Sequence, residues 1–179
     1  MAEEQKKRRG RRAYLDDFQK TASGEYVYNG KLHYYQSEHM GRKKAILVLW
    51  LLTVLMCAGI LAGGFLPAAG MGHSPYVLLP YTAALITTGS VVWLMCRLSA
   101  AGDPMRDYVW KATVKQFALR GRLAVIFGVC TLAGEVVYLF IHGAEGMLAG
   151  TAAFLAVTAL YLCGALVWKS TARKLVWSN

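Results

Sequence analysis

The stretch AILVLWLLTVLMCAGILAGGFL, from Ala45 to Leu66, holds no ionisable side chain except Cys57. A hydrocarbon core about 30 Å thick needs roughly 20 apolar residues at about 1.5 Å rise each, so this stretch spans a bilayer as one helix. Three further stretches meet the same length, Tyr76 to Leu98, Leu123 to Ile141 and Met147 to Trp168. Across the chain 56% of residues are hydrophobic and 17% charged. An ordinary globular domain carries roughly 25% charged residues, so the apolar blocks point to lipid as the solvent. The predicted fold is an all-α integral membrane protein with four transmembrane helices at about 45–66, 76–98, 123–141 and 147–168.

Charge sets the predicted orientation. Every Lys and Arg lies before Ala45, between Arg97 and Arg122, or after Trp168. The other two connections, Pro67–Pro75 and His142–Gly146, carry none. By the positive-inside rule, both termini are expected to be cytoplasmic, in a bacterial-type plasma membrane. The one-sided distribution argues against a dual-topology dimer. It also explains the net charge of +10 without nucleic acid. The basic run Lys6–Arg12 is followed by Tyr14, Asp16 and Asp17, not by an apolar core. The first span therefore reads as an uncleaved anchor. The basic run is expected to meet anionic lipid headgroups or to be solvated.

The chain divides into an N-terminal module (1–44), a four-helix bundle with its central loop (45–168, loop 99–122) and a short tail (169–179). In the module, Tyr14, Leu15 and Phe18 recur at helical spacing, predicting a short helix from Arg12 to Ala22 that stops at Ser23-Gly24. Residues 25–35, EYVYNGKLHYY, contain Asn29-Gly30 between strand formers. That pair suits a type I′ turn, so a β-hairpin is predicted with Tyr28 opposite Lys31, Val27 opposite Leu32 and Tyr26 opposite His33. Such a hairpin is marginal in water alone and must lean on something. Asp103-Pro104 resembles a helix start, predicting an interfacial helix over 104–120. Trp177 suits an interfacial anchor.

Chemistry is sparse. Glu135, in the third span, is the one intramembrane carboxylate and hence the functional candidate. The plainer reading has it snorkel outward or bond Tyr138. His73, His142 and Glu145, with Tyr76 and Tyr81, lie toward the same side, but their spacing does not match a metal site. No CxxC pair, HExxH, G-x-S-x-G or phosphate loop is present. No cofactor is expected. Cys57, Cys96, Cys130 and Cys163 fall one per span and read as packing residues. Gly59 and Gly63, and Ala152 and Ala156, have the small-xxx-small spacing of helix contacts. Thr87, Thr88, Gly89 and Ser90 give the second span a polar centre. A repeat relating the two halves is weak.

These features favour an accessory or structural subunit of a membrane complex, attached for instance to a transporter. Tyr26, Tyr28, His33 and Trp110 would then form a cytoplasmic docking surface for another subunit or a second copy. One alternative is a small homo-oligomeric transporter or channel that couples protons or cations through Glu135. Another is an enzyme with its site on the outer face. The short outer loops direct attention to residues 12–35 and 103–120.

Overall fold

A computed structural model describes residues 18–21, 24–37, 40–144 and 146–178. It is mostly helical, and four helices are long and apolar enough to cross a membrane, compatible with an integral membrane location. They are α1 (Arg42–Phe65), α3 (Pro75–Ala100), α5 (Val114–His142) and α6 (Leu148–Arg173). α2 (Ala69–His73) lies in the first connection. α4 (Asp107–Ala112) precedes α5. The long helices pack as a closed ring, α1 on α3, α3 on α5, α5 on α6 and α6 back on α1. Short connections, 66–74 and 143–147, make α1 and α3, and α5 and α6, neighbours in this order.

The centre of the ring is Tyr161 of α6, which is fully buried. A Cβ added to Gly59 of α1 would stand 3.2 Å from the Tyr161 Cβ, and one added to Gly128 of α5 would stand 3.1 Å from its ring. The Tyr161 hydroxyl lies 3.2 Å from Thr88 Oγ1 of α3. Thr88 gives its own hydrogen to the Ala84 carbonyl at 2.8 Å, so Tyr161 donates to Thr88. One side chain thus touches all three other long helices. Lipid offers no hydrophobic drive between helices, so close packing of this kind and buried hydrogen bonds must hold them. Above and below, Phe117 meets Trp168 edge-on at 5.4 Å, and Tyr81 meets Phe154 at 5.9 Å.

The expected contact through Gly59 and Gly63 is present, with Gly63 against the rings of Tyr81 and Phe154. Ala152 and Ala156 make no such contact within the chain: both are exposed, and Thr151, Phe154, Thr158 and Tyr161 form the inward face of α6. Identical spacing marks one face of a helix but does not fix its rotation. Here the large side chains that fill the ring set it.

Five short strands cluster beyond one end of the bundle. β1 (Phe18–Lys20) pairs antiparallel with β2 (Tyr26–Tyr28), with Phe18 opposite Tyr28. β3 (Leu32–Tyr35) is the middle strand of a three-stranded sheet. On one side β4 (Met105–Arg106) puts Met105 opposite His33. On the other side β5 (Trp177–Ser178) puts Trp177 opposite Tyr35. N-terminal segment, central loop and tail therefore meet at the same end, the one where the described Lys and Arg residues lie.

Three local predictions are corrected by this sheet. The Asn29-Gly30 hairpin does not form: β2 pairs backward with β1, and Gly30 is not among the glycines of positive φ. Gly24, at φ 88°, makes the turn instead, with its N–H on Thr21 O at 2.9 Å. Pairing β3 with distant strands buries His33 and Met105, which a free hairpin could not do. The short helix expected at 12–22 falls mostly outside the described residues, and Phe18–Lys20 within it is strand. The 104–120 helix is also replaced. The Asp103–Pro104 bond is cis, residues 105–106 join the sheet, and buried Thr113 (φ −119°, ψ −80°) separates α4 from α5. The tail residue Trp177 packs edge-on against Tyr35 at 5.2 Å.

Gly128→Val should force the Tyr161 ring aside. Thermal unfolding in detergent is expected to show a loss of about 1–3 kcal/mol. Gly89→Ala, where nothing lies within 4 Å of the added Cβ, should match the parent or exceed it. Equal stability of Gly128→Val and the parent would contradict the keystone role of Tyr161.

Candidate functional site

Glu135 lies on the inward face of α5 with 0% exposure, so it does not snorkel. Its position follows from α2. The first N–H groups of any helix lack intrahelical acceptors, and Ala68 before α2 provides no side-chain cap. Two long helices supply the acceptors. The Ala69 N–H donates to Thr151 Oγ1 of α6 at 3.1 Å, and the Gly70 N–H donates to Glu135 Oε1 of α5 at 3.1 Å. A carboxylate at a helix N-terminus also meets the positive end of the backbone dipoles. Gly70 is required by space: an added Cβ would fall 2.5 Å from Glu135 Oε2 and about 3 Å from Tyr138. Oε2 itself has no hydrogen-bond partner among the described residues.

The surrounding groups do not converge on the carboxylate. His142 is exposed and stacks on Tyr138 at 4.6 Å. His73 is exposed, and its Nδ1 lies 3.0 Å from the Ala69 carbonyl. Tyr81 donates to the Ile60 carbonyl in α1, and Tyr76 is exposed. Glu145 lies outside the described residues. Among those described, no group of three His, Cys, Asp or Glu is placed to hold a metal ion. The four cysteines are unpaired.

At the strand end, three of the four residues expected to dock a partner make contacts within the chain. His33 is 5% exposed, stacks on Trp110 at 4.4 Å and 12°, and places Nε2 2.9 Å from Asp107 Oδ1. Asp107 Oδ2 meets Lys111 Nζ at 2.6 Å. The Tyr28 ring packs on Phe18 and Tyr108 and lies 5.5 Å from the Arg106 guanidinium. Its hydroxyl donates to the Lys31 carbonyl and accepts from the Asp107 N–H, each at 3.2 Å. Tyr26 alone of the four points away, 70% exposed, and Val27 and Tyr34 join it at 50% and 47%.

The cluster holds the N-terminal strands on the central loop. Asp107 is its charge centre: Lys111, then His33, hold its carboxyl below the usual carboxylate range. Sequence reading missed Asp107, although the Asp107–Lys111 spacing of four was visible. The partnership with His33 spans 74 positions and leaves no local mark. Gly70, Thr151 and Tyr161 were missed for the same reason. Compared with known proteins, the chain matches no family model, no curated protein and no solved structure.

Two predictions follow the two clusters. Glu135→Gln retains an acceptor oxygen for the Gly70 N–H and should change stability little. Glu135→Ala leaves that donor unmet and should cost about 1–3 kcal/mol, with faster hydrogen exchange over residues 69–73. Equal exchange in both variants would argue against the capping role. Asp107 has a lowered carboxyl pKa in the fold, so its contribution is present above the unfolded value near about 3.9 and is lost as pH falls through the folded value. Protection of strand β3 amides should therefore fall in acid below about pH 4. Asp107→Asn should show weaker protection at neutral pH and a flatter acid profile.

Proposed function

We propose that the protein is an accessory or structural subunit of a membrane complex, docking a partner through its strand-bearing end. On this reading both ends of the chain lie on the cytoplasmic side of a bacterial-type plasma membrane, as the one-sided Lys and Arg distribution implies. The observation that carries the proposal is the sheet that joins β3 to β4 and β5, three segments too short to be ordered alone. It gives an ordered base from which Tyr26, Val27 and Tyr34 project into the surroundings. Large, stiff side chains on a fixed base suit interface anchors, because little freedom is lost when they are covered. The intramembrane carboxylate supports the same reading, since Glu135 Oε1 is engaged in capping α2.

A second reading rests on Glu135 Oε2, buried without a partner among the described residues. It is a homo-oligomeric transporter in which that oxygen takes a proton or cation. Reconstituted flux that is absent, or unchanged in Glu135→Gln, would rule it out.

For the docking proposal, tagged full-length protein would be purified in mild detergent from its native membrane. A stoichiometric partner protein is expected to co-purify. Tyr26→Ala and Tyr34→Ala should each weaken the association by about 1–2 kcal/mol while leaving the melting temperature unchanged. Recovery of the protein alone, or binding indifferent to both substitutions, would overturn it.

A further inference from the structure

The outward side of the last turns of α6 forms a groove lined by Leu166, Lys169, Ser170, Arg173 and Lys174. Positions three, four, seven and eight residues apart share one side of a helix. The rotation of that side is fixed from behind. Trp168 and Ala165 are fully buried, and Trp168 rests edge-on against Phe117 at 5.4 Å. Gly121 of α5 brings that helix so near that an added Cβ would stand 3.1 Å from the Lys169 Cβ. The stem of Lys169 is thus held in place, and it is the first cation beyond the fourth apolar stretch.

Depth along the helix matches a lipid monolayer. Lys169 to Lys174 covers about 7.5 Å at 1.5 Å per residue. The headgroup layer on one side of a bilayer is roughly 5–8 Å thick, and Leu166 lies about 4.5 Å deeper than Lys169, in the acyl region. Lys169, Arg173 and Lys174 make no ion pair among the described residues; the ion pairs formed there centre on Asp107. Cations in the last turn also complement the helix dipole and fix topology. Those roles require charge alone. They do not require a groove in which a hydroxyl and an apolar side chain stand beside the cations.

We propose that this groove binds one anionic phospholipid. Lys169, Arg173 and Lys174 surround the phosphate, Ser170 donates its hydroxyl to a phosphate oxygen, and an acyl chain lies along Leu166.

The test is native mass spectrometry of the full chain released from detergent, titrated with phosphatidylglycerol or phosphatidylcholine. One phosphatidylglycerol is expected to be retained in preference to phosphatidylcholine. At about 1 kcal/mol per charge, K169Q/R173Q/K174Q should weaken retention on the order of 100-fold. Neutralising Lys6–Arg12 should change it less than about threefold. Should the triple variant fail to fold, Ser170→Asp places a negative charge in the groove and should weaken retention at least tenfold. Four results would overturn the proposal. They are undiminished retention in the triple variant or in Ser170→Asp, equal retention of the two lipids, loss on neutralising Lys6–Arg12 instead, and displacement of the lipid by millimolar inorganic phosphate, which would identify a soluble anion as the ligand.

Discussion

Inside hydrocarbon no water is present to satisfy a polar group, so each one left without a partner within the chain is costly. The architecture answers that constraint repeatedly. Backbone groups are taken up by four long helices. Buried hydroxyls turn back on their own helices, Thr53 to the Leu49 carbonyl and Thr131 to that of Phe127. Tyr161 bridges to Thr88. The buried, uncapped start of α2 borrows acceptors from Thr151 and Glu135. A carboxylate that first reads as a functional candidate is thereby also a structural element, joining a loop helix to the third span.

The opposite end of the bundle works under different rules. There β-pairing brings together segments from three parts of the chain, and the aromatic stack of His33 on Trp110 attaches them to α4. Arg42 at the start of α1 adds a bond from its guanidinium to the Gly102 carbonyl at 3.2 Å, and Trp50 donates to Ser99 at 2.8 Å. These contacts fasten the central loop to the first helix as well as to the sheet. The strand end is thus one connected unit, with Tyr26, Val27 and Tyr34 as its exposed large apolar side chains on β2 and β3.

The four spans were legible because their signal is length and hydrophobicity, which need no knowledge of neighbours. Gly59 and Gly63 were legible because glycine spacing marks where backbones approach. Ala152 and Ala156 show the limit of that rule, since Phe154 and Tyr161 decide which side of α6 turns inward. The Asn29-Gly30 turn failed for a related reason. Local preference favours a hairpin by a small margin, and β3 gains more from Met105 and Trp177, which lie far along the chain. Glu135 was visible as a costly residue, but its partner Gly70 has no side chain to announce it.

The place of β3 between β4 and β5 has a consequence in time. Tyr35 is made early in synthesis, and its ladder partner Trp177 follows only after all four helices. At about 5–20 residues per second, the interval is on the order of ten seconds. Throughout it, one edge of β3 offers unpaired backbone groups to whatever lies nearby. Completion of the last strand therefore withdraws that edge, and a chain halted before residue 177 stays marked as unfinished by an open strand.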